Sequence, residues 1–388
     1  MVYALGHGVF LLRLFKRIFD TYPMQKIILV AGARPNFVKI APLWRAFSKY
    51  ENVETVLVHT GQHYDDTMSR VFFEDLGLPQ PQYNLDVRSG THAKQTAAIM
   101  SGFDDVIAQV NPDDVVVTGD VNSTFACAIV AVKLGVRTSH IEAGLRSFDR
   151  SMPEEINRIA TDAISDLLFV SEKSGMQNLK KEGVADEKVH FVGNVMIDSM
   201  AFAQPSIENS GVLTDLELEN QVYALVTIHR PSNVDDFERF KNVVDWLFEL
   251  SRQITLIFPM HPRSLSQFNK LMKEKAPHSD PGSRLRIIPP QRYVDFQRLL
   301  KSAKFVITDS GGLQEESTWL GVPCVTLRKN TERPVTIEKG TNILAGENLV
   351  MANNAVQDCL NRKVHTGELP DLWDGLAARR IAKILVRR

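Results

Sequence analysis

The chain has 388 residues, 44% of them apolar, and a formal net charge of −1. That length accommodates two ordinary domains with a core each, and the lack of a basic excess removes the electrostatic ground for nucleic-acid binding. Three cysteines (Cys127, Cys324 and Cys359) lie scattered in apolar stretches and the ten histidines show no metal-binding spacing, so the chain reads as a cytoplasmic protein with buried thiols, no metal and no cofactor.

Residues 1–23 come first. Val9 to Leu12, Leu14, Phe15, Ile18 and Phe19 are apolar, with Arg13, Lys16 and Arg17 between them. The pattern suits an amphipathic surface helix, or an extension ahead of a body that begins near Met24. Basic residues break the apolar run and no small-residue cleavage site follows, so it does not read as a signal peptide. No apolar run in the chain is long enough to span a bilayer.

From Lys26 onward, short β-branched runs alternate with longer helical stretches. Strands are expected at Lys26–Ala31, Glu54–Thr60, Asp114–Thr118, Arg137–Glu142, Leu167–Ser171 and Lys188–Val192, and helices at Phe37–Tyr50, His92–Val110, Thr124–Leu134 and Glu154–Ser165. The polar stretch from Gln204 to Asn220, with Pro205 and Gly211, reads as a linker. The theme then repeats. Strands are expected at Tyr223–Ile228, Thr255–Met260, Leu285–Ile288, Lys304–Thr308, Pro323–Leu327 and Thr341–Leu344, and helices at Val234–Arg252, Ser264–Ala276, Val294–Ser302 and Leu313–Leu320, with a last helix in Leu372–Arg388. Such alternation indicates parallel sheets covered on both faces. The expected fold is α/β: two doubly wound Rossmann-like domains, residues 24–203 and 204–370, facing each other across a cleft, with an extension at 1–23 and a C-terminal helix in 371–388. Ligands of such domains bind at the carboxyl ends of the strands.

The unusual polar clusters fall at those ends. Gly32-Ala33-Arg34-Pro35-Asn36 follows the first strand, with Lys39 just inside the next helix. Thr118-Gly119-Asp120 closes another strand, and His140-Ile141-Glu142-Ala143-Gly144-Leu145-Arg146 the next, with Glu154 beyond it. In the second half come Thr227-Ile228-His229-Arg230, then Pro259-Met260-His261-Pro262-Arg263, and Arg333. Each has an ordinary reading by itself, as a cap, a surface ion pair or a satisfied histidine. Together they place Arg34, Asp120, Glu142, His229, His261 and Arg333 on one rim.

The most informative stretch is Phe305 to Glu316, where an apolar strand runs through Ser310-Gly311-Gly312 into a helix. A helix start with unpaired N–H groups favours an anion such as phosphate. Glu316 lies further in, where its carboxylate suits a vicinal diol such as a ribose. Phosphate beside a diol describes a nucleotide. Arg34, Lys39, His229 and Arg333 supply charge for a diphosphate. Asp120, Glu142 and Glu154 crowd three carboxylates into one half of the cleft, and the expectation is that crowding raises their pKa values toward neutral proton transfer. The first turn lacks Gly-x-Gly-x-x-Gly and no Walker lysine motif occurs, which argues against a dinucleotide cofactor.

At these residues the sequence resembles the non-hydrolysing UDP-N-acetylglucosamine 2-epimerase family from about Lys26 to Gly346. The blocks are Gly32–Pro35, Gly119-Asp120, His140–Arg146 with Met152–Arg158, Thr227–Arg230, and Asp309–Glu316 with Thr331–Pro334. The resemblance implies a two-domain fold shared with nucleotide-sugar glycosyltransferases, and a homodimer. It also implies interconversion of UDP-N-acetylglucosamine and UDP-N-acetylmannosamine by elimination and re-addition of UDP. By the family pattern, Asp120, Glu142 and Glu154 fall at catalytic acids and His229 at a catalytic or phosphate-contacting histidine. Arg34, Lys39, Ser310, Gly311, Glu316 and Arg333 fall at UDP-binding positions, to which the rim adds Gly312 and His261. Phe296 falls near the uracil.

The chain departs from the pattern in places. Gly32–Asn36 and His229–Asn233 differ from the commonest family forms, and so do the partners of Gln62 and Gln95 at a second site where substrate activates some members. Activation through Gln62 and Gln95 is the expectation that the resemblance implies for that site. The rival readings are a hydrolysing epimerase, an epimerase of a modified UDP-sugar, a glycosyltransferase of the same architecture, and a nucleotide-sugar-binding regulator without activity.

Overall fold

A computed structural model describes residues 24–32, 34–61, 73–88, 90–274, 283–361 and 367–387, without the side chain of Arg34. The amphipathic stretch in 1–23 and Gln62 lie outside the described residues. Two all-parallel sheets carry the fold. The first runs in the order β3-β2-β1-β4-β5-β6-β7 and the second β10-β9-β8-β11-β12-β13.

In the first half β1 is Gln25–Ala31, β2 Val53–Gly61, β3 Tyr83–Val87, β4 Asp114–Thr118, β5 Arg137–Ile141, β6 Leu167–Val170 and β7 Val189–Phe191. Its helices are α1 (Arg34–Phe47), α2 (His92–Val110), α3 (Asn122–Lys133), α4 (Pro153–Ile164), α5 (Lys173–Lys181) and α6 (Val195–Glu208). After the short helix α7 (Val212–Asp215), the second half has β8 Tyr223–Thr227, β9 Thr255–Pro259, β10 Leu285–Ile288, β11 Val306–Thr308, β12 Cys324–Thr326 and β13 Asn342–Leu344. Its helices are α8 (Pro231–Val234), α9 (Phe237–Ser251), α10 (Pro262–Glu274), α11 (Tyr293–Ser302), α12 (Gly311–Leu320), α13 (Val335–Glu338) and α14 (Leu349–Leu360), and α15 (Ala377–Leu385) follows.

The central strands show why both faces must be covered. Along β1, Ile27, Leu29 and Ala31 enter one core layer with Phe37 and Phe47, while Ile28 and Val30 enter the other with Phe103 and Val117. The same alternation splits β8, with Ala224 and Val226 on one side and Tyr223 and Leu225 on the other. A strand buried on both faces has no polar alternation, which is the parallel-sheet signature.

Each sheet reverses its winding direction beside its first strand, between β1 and β4 and between β8 and β11. In the second half this brings Thr227 opposite Thr308, with their hydroxyls 2.7 Å apart. The crevice that opens at such a point is where the carboxyl ends of the strands leave room for a ligand.

Several elements differ from expectation. β3 was not expected: it reads Tyr-Asn-Leu-Asp-Val, pairs only with β2 at the sheet edge, and is half-buried, so it carries no continuous apolar run. The stretch read as a linker begins inside α6, which continues through Pro205 to Glu208. Asn194 starts that helix by accepting the Met196 N–H at 2.9 Å. Packed against α1 in one half and α11 and α12 in the other, α6 joins the two.

The last helix returns to the first half. Ala377, Ile381 and Leu385 of α15 share a core with Ile27, Leu29 and Phe37. Gln25 donates its amide to the Leu385 carbonyl at 3.1 Å and accepts the Arg387 N–H at 2.9 Å. Among the described residues, no helix is long and apolar enough to cross a membrane.

Candidate functional site

The carboxyl ends of the two sheets face each other, and buried charges bridge them. Lys39, one turn into α1, donates to Glu142 Oε2 at 2.5 Å. It reaches there because Gly119, at φ +72°, has no side chain: a Cβ at that position would lie 3.0 Å from Lys39 Nζ. Glu142 follows β5 and holds φ +69°, a conformation that costs a non-glycine residue about 1–3 kcal/mol and tends to mark functional positions. Its Oε1 is buried with no hydrogen-bond partner among the described residues.

From the other half, Arg333 meets the same carboxylate. Its Nη2 lies 3.9 Å from Glu142 Oε2 and its Nε 2.8 Å from Glu315 Oε2, and Nη1 binds Glu332. Glu332 also takes Arg328 at 2.7 Å, with Arg158 at 3.9 Å and Arg230 at 4.0 Å. Arg158 sits on α4, so the Glu332 cluster spans the cleft. Asp120, in the turn after β4, is 2.6 Å from Arg158, whose other arm holds Glu155 at 2.6 Å. Glu154, half-buried in the first turn of α4, acts electrostatically on Arg230 of the opposite half. Asn330 closes this side by donating to the Ser147 carbonyl at 3.3 Å.

The second crevice is built on Asp309. Its carboxylate accepts the His229 and Arg230 backbone N–H groups at 3.1 and 2.9 Å, and His229 Nδ1 lies 3.2 Å from Asp309 Oδ1. This fixes the His229 ring at the mouth, where His261 stands 6.0 Å away between ring centres. Ser310 is the N-cap of α12, followed by Gly311 and Gly312. At Gly311 a Cβ would come within 2.7 Å of Glu332 Oε1 and 2.9 Å of Arg333 Nη1, so glycine is what lets the arginine lie against the helix start. Glu316 is buried deeper in α12, bonded to Gln297, and Phe296 on α11 packs half-buried with Leu299, Val306 and Leu313.

The electrostatics sort the acids, and they correct the expectation about crowding. Burial would raise Asp120, but Arg158 and Lys39 outweigh it and hold the carboxyl below its usual range. Glu332 is likewise held well below, its burial overcome by Arg333, Arg328 and Arg158. The raised carboxyls are others. Burial pushes Glu315 up to about 7, Arg333 opposing it and Glu142 adding to it. It pushes Glu316 up to about 7 against the Gln297 hydrogen bond, and Glu172, at the end of β6, up to about 7 as well. The balance between burial and nearby cations, rather than the number of acids, decides each direction.

The sequence pattern of the UDP-N-acetylglucosamine 2-epimerase family matches residues 45–386. A relative from Methanocaldococcus jannaschii named UDP-N-acetylglucosamine 2-epimerase is 42% identical over 93% of this chain and 99% of its own. The chain belongs to the UDP-N-acetylglucosamine 2-epimerase family. It is thus an isomerase acting on a UDP-sugar. The crystal structure of the M. jannaschii epimerase with UDP-GlcNAc and UDP superimposes with a TM-score of 0.85 at 40% identity, covering 93% and 99% of the two chains. A Neisseria meningitidis 2-epimerase bound to UDP-GlcNAc gives 0.83 at 26% identity, covering 93% and 99%. A Pseudomonas aeruginosa relative, 38% identical over 94% of this chain and 100% of its own, is named UDP-2,3-diacetamido-2,3-dideoxy-D-glucuronate 2-epimerase.

In this 2-epimerase family member, the cleft gathers Lys39, Asp120, Glu142, Arg333 and, at electrostatic range, Glu154. His229 and His261 form a second group, and Phe296 and Glu316 lie behind the helix start. Arg34 opens α1, but its side chain lies outside the described residues. Gln95 lies on α2, its Oε1 accepting from Asn122 at 2.7 Å, and Asn157 links Asn122 to the Asp120 carbonyl. One expectation about the anion site needs amendment: the Ser310 N–H already donates to Thr308 Oγ1 at 2.9 Å.

Sequence reasoning passed over Arg158, Arg230, Asp309, Glu315, Glu332 and Arg328 as site members. Their charge pairing joins residues distant in the chain, so no local pattern marks it. The one readable signal is Arg328 and Glu332 at i and i+4, followed at once by Arg333.

Proposed function

We propose that the chain interconverts UDP-N-acetylglucosamine and UDP-N-acetylmannosamine by inversion at C2. A base removes the C2 proton as the C1–O bond to the diphosphate breaks, giving a 2-acetamidoglucal and UDP. The diphosphate oxygen then re-adds at C1 while an acid delivers a proton to the opposite face of C2. Asp120, Glu142 and Glu154 supply the base and acid. Arg34, Lys39, His229 and Arg333 hold the diphosphate with the Ser310–Gly312 turn, and Glu316 takes the ribose beside Phe296. His261 supports His229.

The observation that carries this reading is Arg333 beside Glu142. A cation that can stabilise a departing diphosphate adjoins a carboxylate with a free buried oxygen, in a cleft closed by ion pairs. Preorganised charge of this kind is often the largest single contribution to catalysis. Incubation with UDP-N-acetylglucosamine alone in heavy water, followed by NMR, tests it. Intact UDP-N-acetylmannosamine with deuterium at C2 is expected. Free N-acetylmannosamine, turnover only with an acceptor, or no turnover supports the hydrolase, transferase or regulator instead.

The P. aeruginosa relative favours a second reading, an epimerase of a modified UDP-2-acetamido sugar. Comparison of kcat/KM for UDP-N-acetylglucosamine and for the 2,3-diacetamido uronate separates the two. The protein works as a cytoplasmic homodimer under this proposal; its three cysteines are buried free thiols, as a reducing compartment allows, and light scattering tests the dimer.

A further inference from the structure

We infer that Asp162 is a positioning residue for this reaction, holding in register the two turns that carry Asp120 and Glu142. Neither the cleft nor a ligand surface includes it. It lies on α4 with 3% of its surface exposed, beneath both turns. One oxygen, Oδ1, is 2.6 Å from His140 Nδ1, and the other ring nitrogen, Nε2, is 2.8 Å from the Gly119 carbonyl. The opposite oxygen, Oδ2, accepts the Gly144 N–H at 2.9 Å and the Arg146 guanidinium at 2.7 Å.

Each arm ends on backbone of unusual conformation. Gly119 holds φ +72° immediately before Asp120. Glu142 holds φ +69° and Gly144 φ +78° in the next turn. The glycines take this conformation freely, but Glu142 is strained there and persists only where its surroundings over-determine it; one carboxylate anchors the backbone of both turns. His140 is fully buried and serves as the rod between Asp162 and the Gly119 carbonyl. Burial would favour a neutral Asp162, but His140 and Arg146 outweigh it and hold the carboxyl below its usual range. The anchor is therefore charged, and both turns hang on an anion buried below the cleft. A displacement of about 1 Å at a reacting group can cost about 10²-fold in rate, which is the scale on which this anchor acts.

The inference rests on the epimerase reading, and its test keeps the two apart. Wild type and the variants Asp162→Asn, His140→Asn and His140→Gln are compared with UDP-N-acetylglucosamine. UDP sites are counted by calorimetry, so that kcat is expressed per competent site and loss of folded protein does not enter. The asparagine at 140 can keep the Asp162 contact but not the Gly119 one, and the glutamine the reverse. Asp162→Asn is expected to lower kcat per UDP site about 10²-fold, and each His140 variant about tenfold, with KM and UDP affinity within about threefold of wild type. If Asp162→Asn does not fold, the His140 pair carries the same test. Variants that keep wild-type kcat per UDP site overturn the positioning role while wild-type turnover stands. A wild-type chain that leaves the substrate unchanged overturns the epimerase reading itself and this inference with it.

Discussion

Arg333 touches carboxylates in both halves of the molecule: its Nε lies 2.8 Å from Glu315 in its own half and its Nη2 3.9 Å from Glu142 across the cleft. One side chain therefore couples the proposed diphosphate site to a proposed proton-transfer group. Replacing it with lysine leaves a point charge that cannot span both partners. Arg333→Lys is expected to lower kcat by about 10²–10³-fold, the cost of removing one preorganised donor. Steady-state kinetics check this, and a kcat within a few-fold of wild type would count against a diphosphate role for Arg333.

Asp120 is held anionic by Arg158 and Lys39 against its own burial. Asp120→Asn keeps the shape and removes the charge. Turnover should fall by about 10²–10⁴-fold, the usual range for a general acid or base, while UDP binds as before. Calorimetry with UDP and a rate assay on the same sample separate the two. Equal losses in both would place Asp120 in binding rather than proton transfer.

In the ribose-binding role proposed for it, Glu316 would act best as a carboxylate, yet burial has pushed it up to about 7. The free protein therefore holds a proton there below that pH, and under the proposal nucleotide binding expels it. UDP affinity should weaken as the pH falls from about 8 to 6, approaching tenfold per unit below the pKa. Glu316→Gln should bind more weakly but lose most of this slope. A wild-type Kd independent of pH over that range would remove Glu316 from the ribose.

Gly311 leaves no room for a Cβ beside Glu332 and Arg333. Gly311→Ala pushes on the arginine without removing any charge. The expected loss is about 1–3 kcal/mol, as for overpacking elsewhere, and it should show in UDP affinity with the fold retained by circular dichroism. Undiminished UDP binding would mean that Arg333 does not need this approach.

Asp198 on α6 accepts the Ala377 and Ala378 N–H groups at the start of α15, at 3.1 and 2.8 Å. Asp198→Ala should cost about 0.5–2 kcal/mol, the range for losing an N-terminal cap, read as a lower Tm. Burial raises this carboxyl from 3.8 to about 6, against the pull of the Ala378 and Ala377 N–H groups. Between about pH 4 and 6 the folded chain thus keeps a proton that the unfolded chain has released, so its contribution to stability falls as the pH rises through that window. Asp198→Asn should flatten that slope in denaturant melts. Identical slopes for wild type and variant would contradict the assignment.

Much of this architecture is legible in the sequence because its physics is local. α2 has the expected limits, His92–Val110, since Thr91 caps its start and Asn111, at φ 49°, ends it. The central strands announce themselves through runs such as Ile27–Ala31, buried on both faces. The acids Asp120 and Glu142 stand out because each lies at the carboxyl end of an expected strand. β3 hides because an edge strand with one neighbour tolerates Asn84 and Asp86. Glu208 belongs to a helix despite Pro205, because α6 is held from both sides by helices that the local sequence does not reveal. The charges around Glu332 escape for a different reason: Arg158 reaches it only once the two sheets face each other, and Arg230 only once the turns after β8 and β12 come together within the second half.

The helix α15, which completes the core around Ile27 and Phe37, fixes an order of events during synthesis. The half whose first strand leaves the ribosome earliest is finished last, after the intervening half has already been made. Until Ile381 and Leu385 emerge, the layer over β1 is covered by α1 but not by α15, and part of it stays water-facing. A polypeptide released after Leu360 but short of Ala377 would carry a finished second unit beside a partly open apolar face, and such faces aggregate.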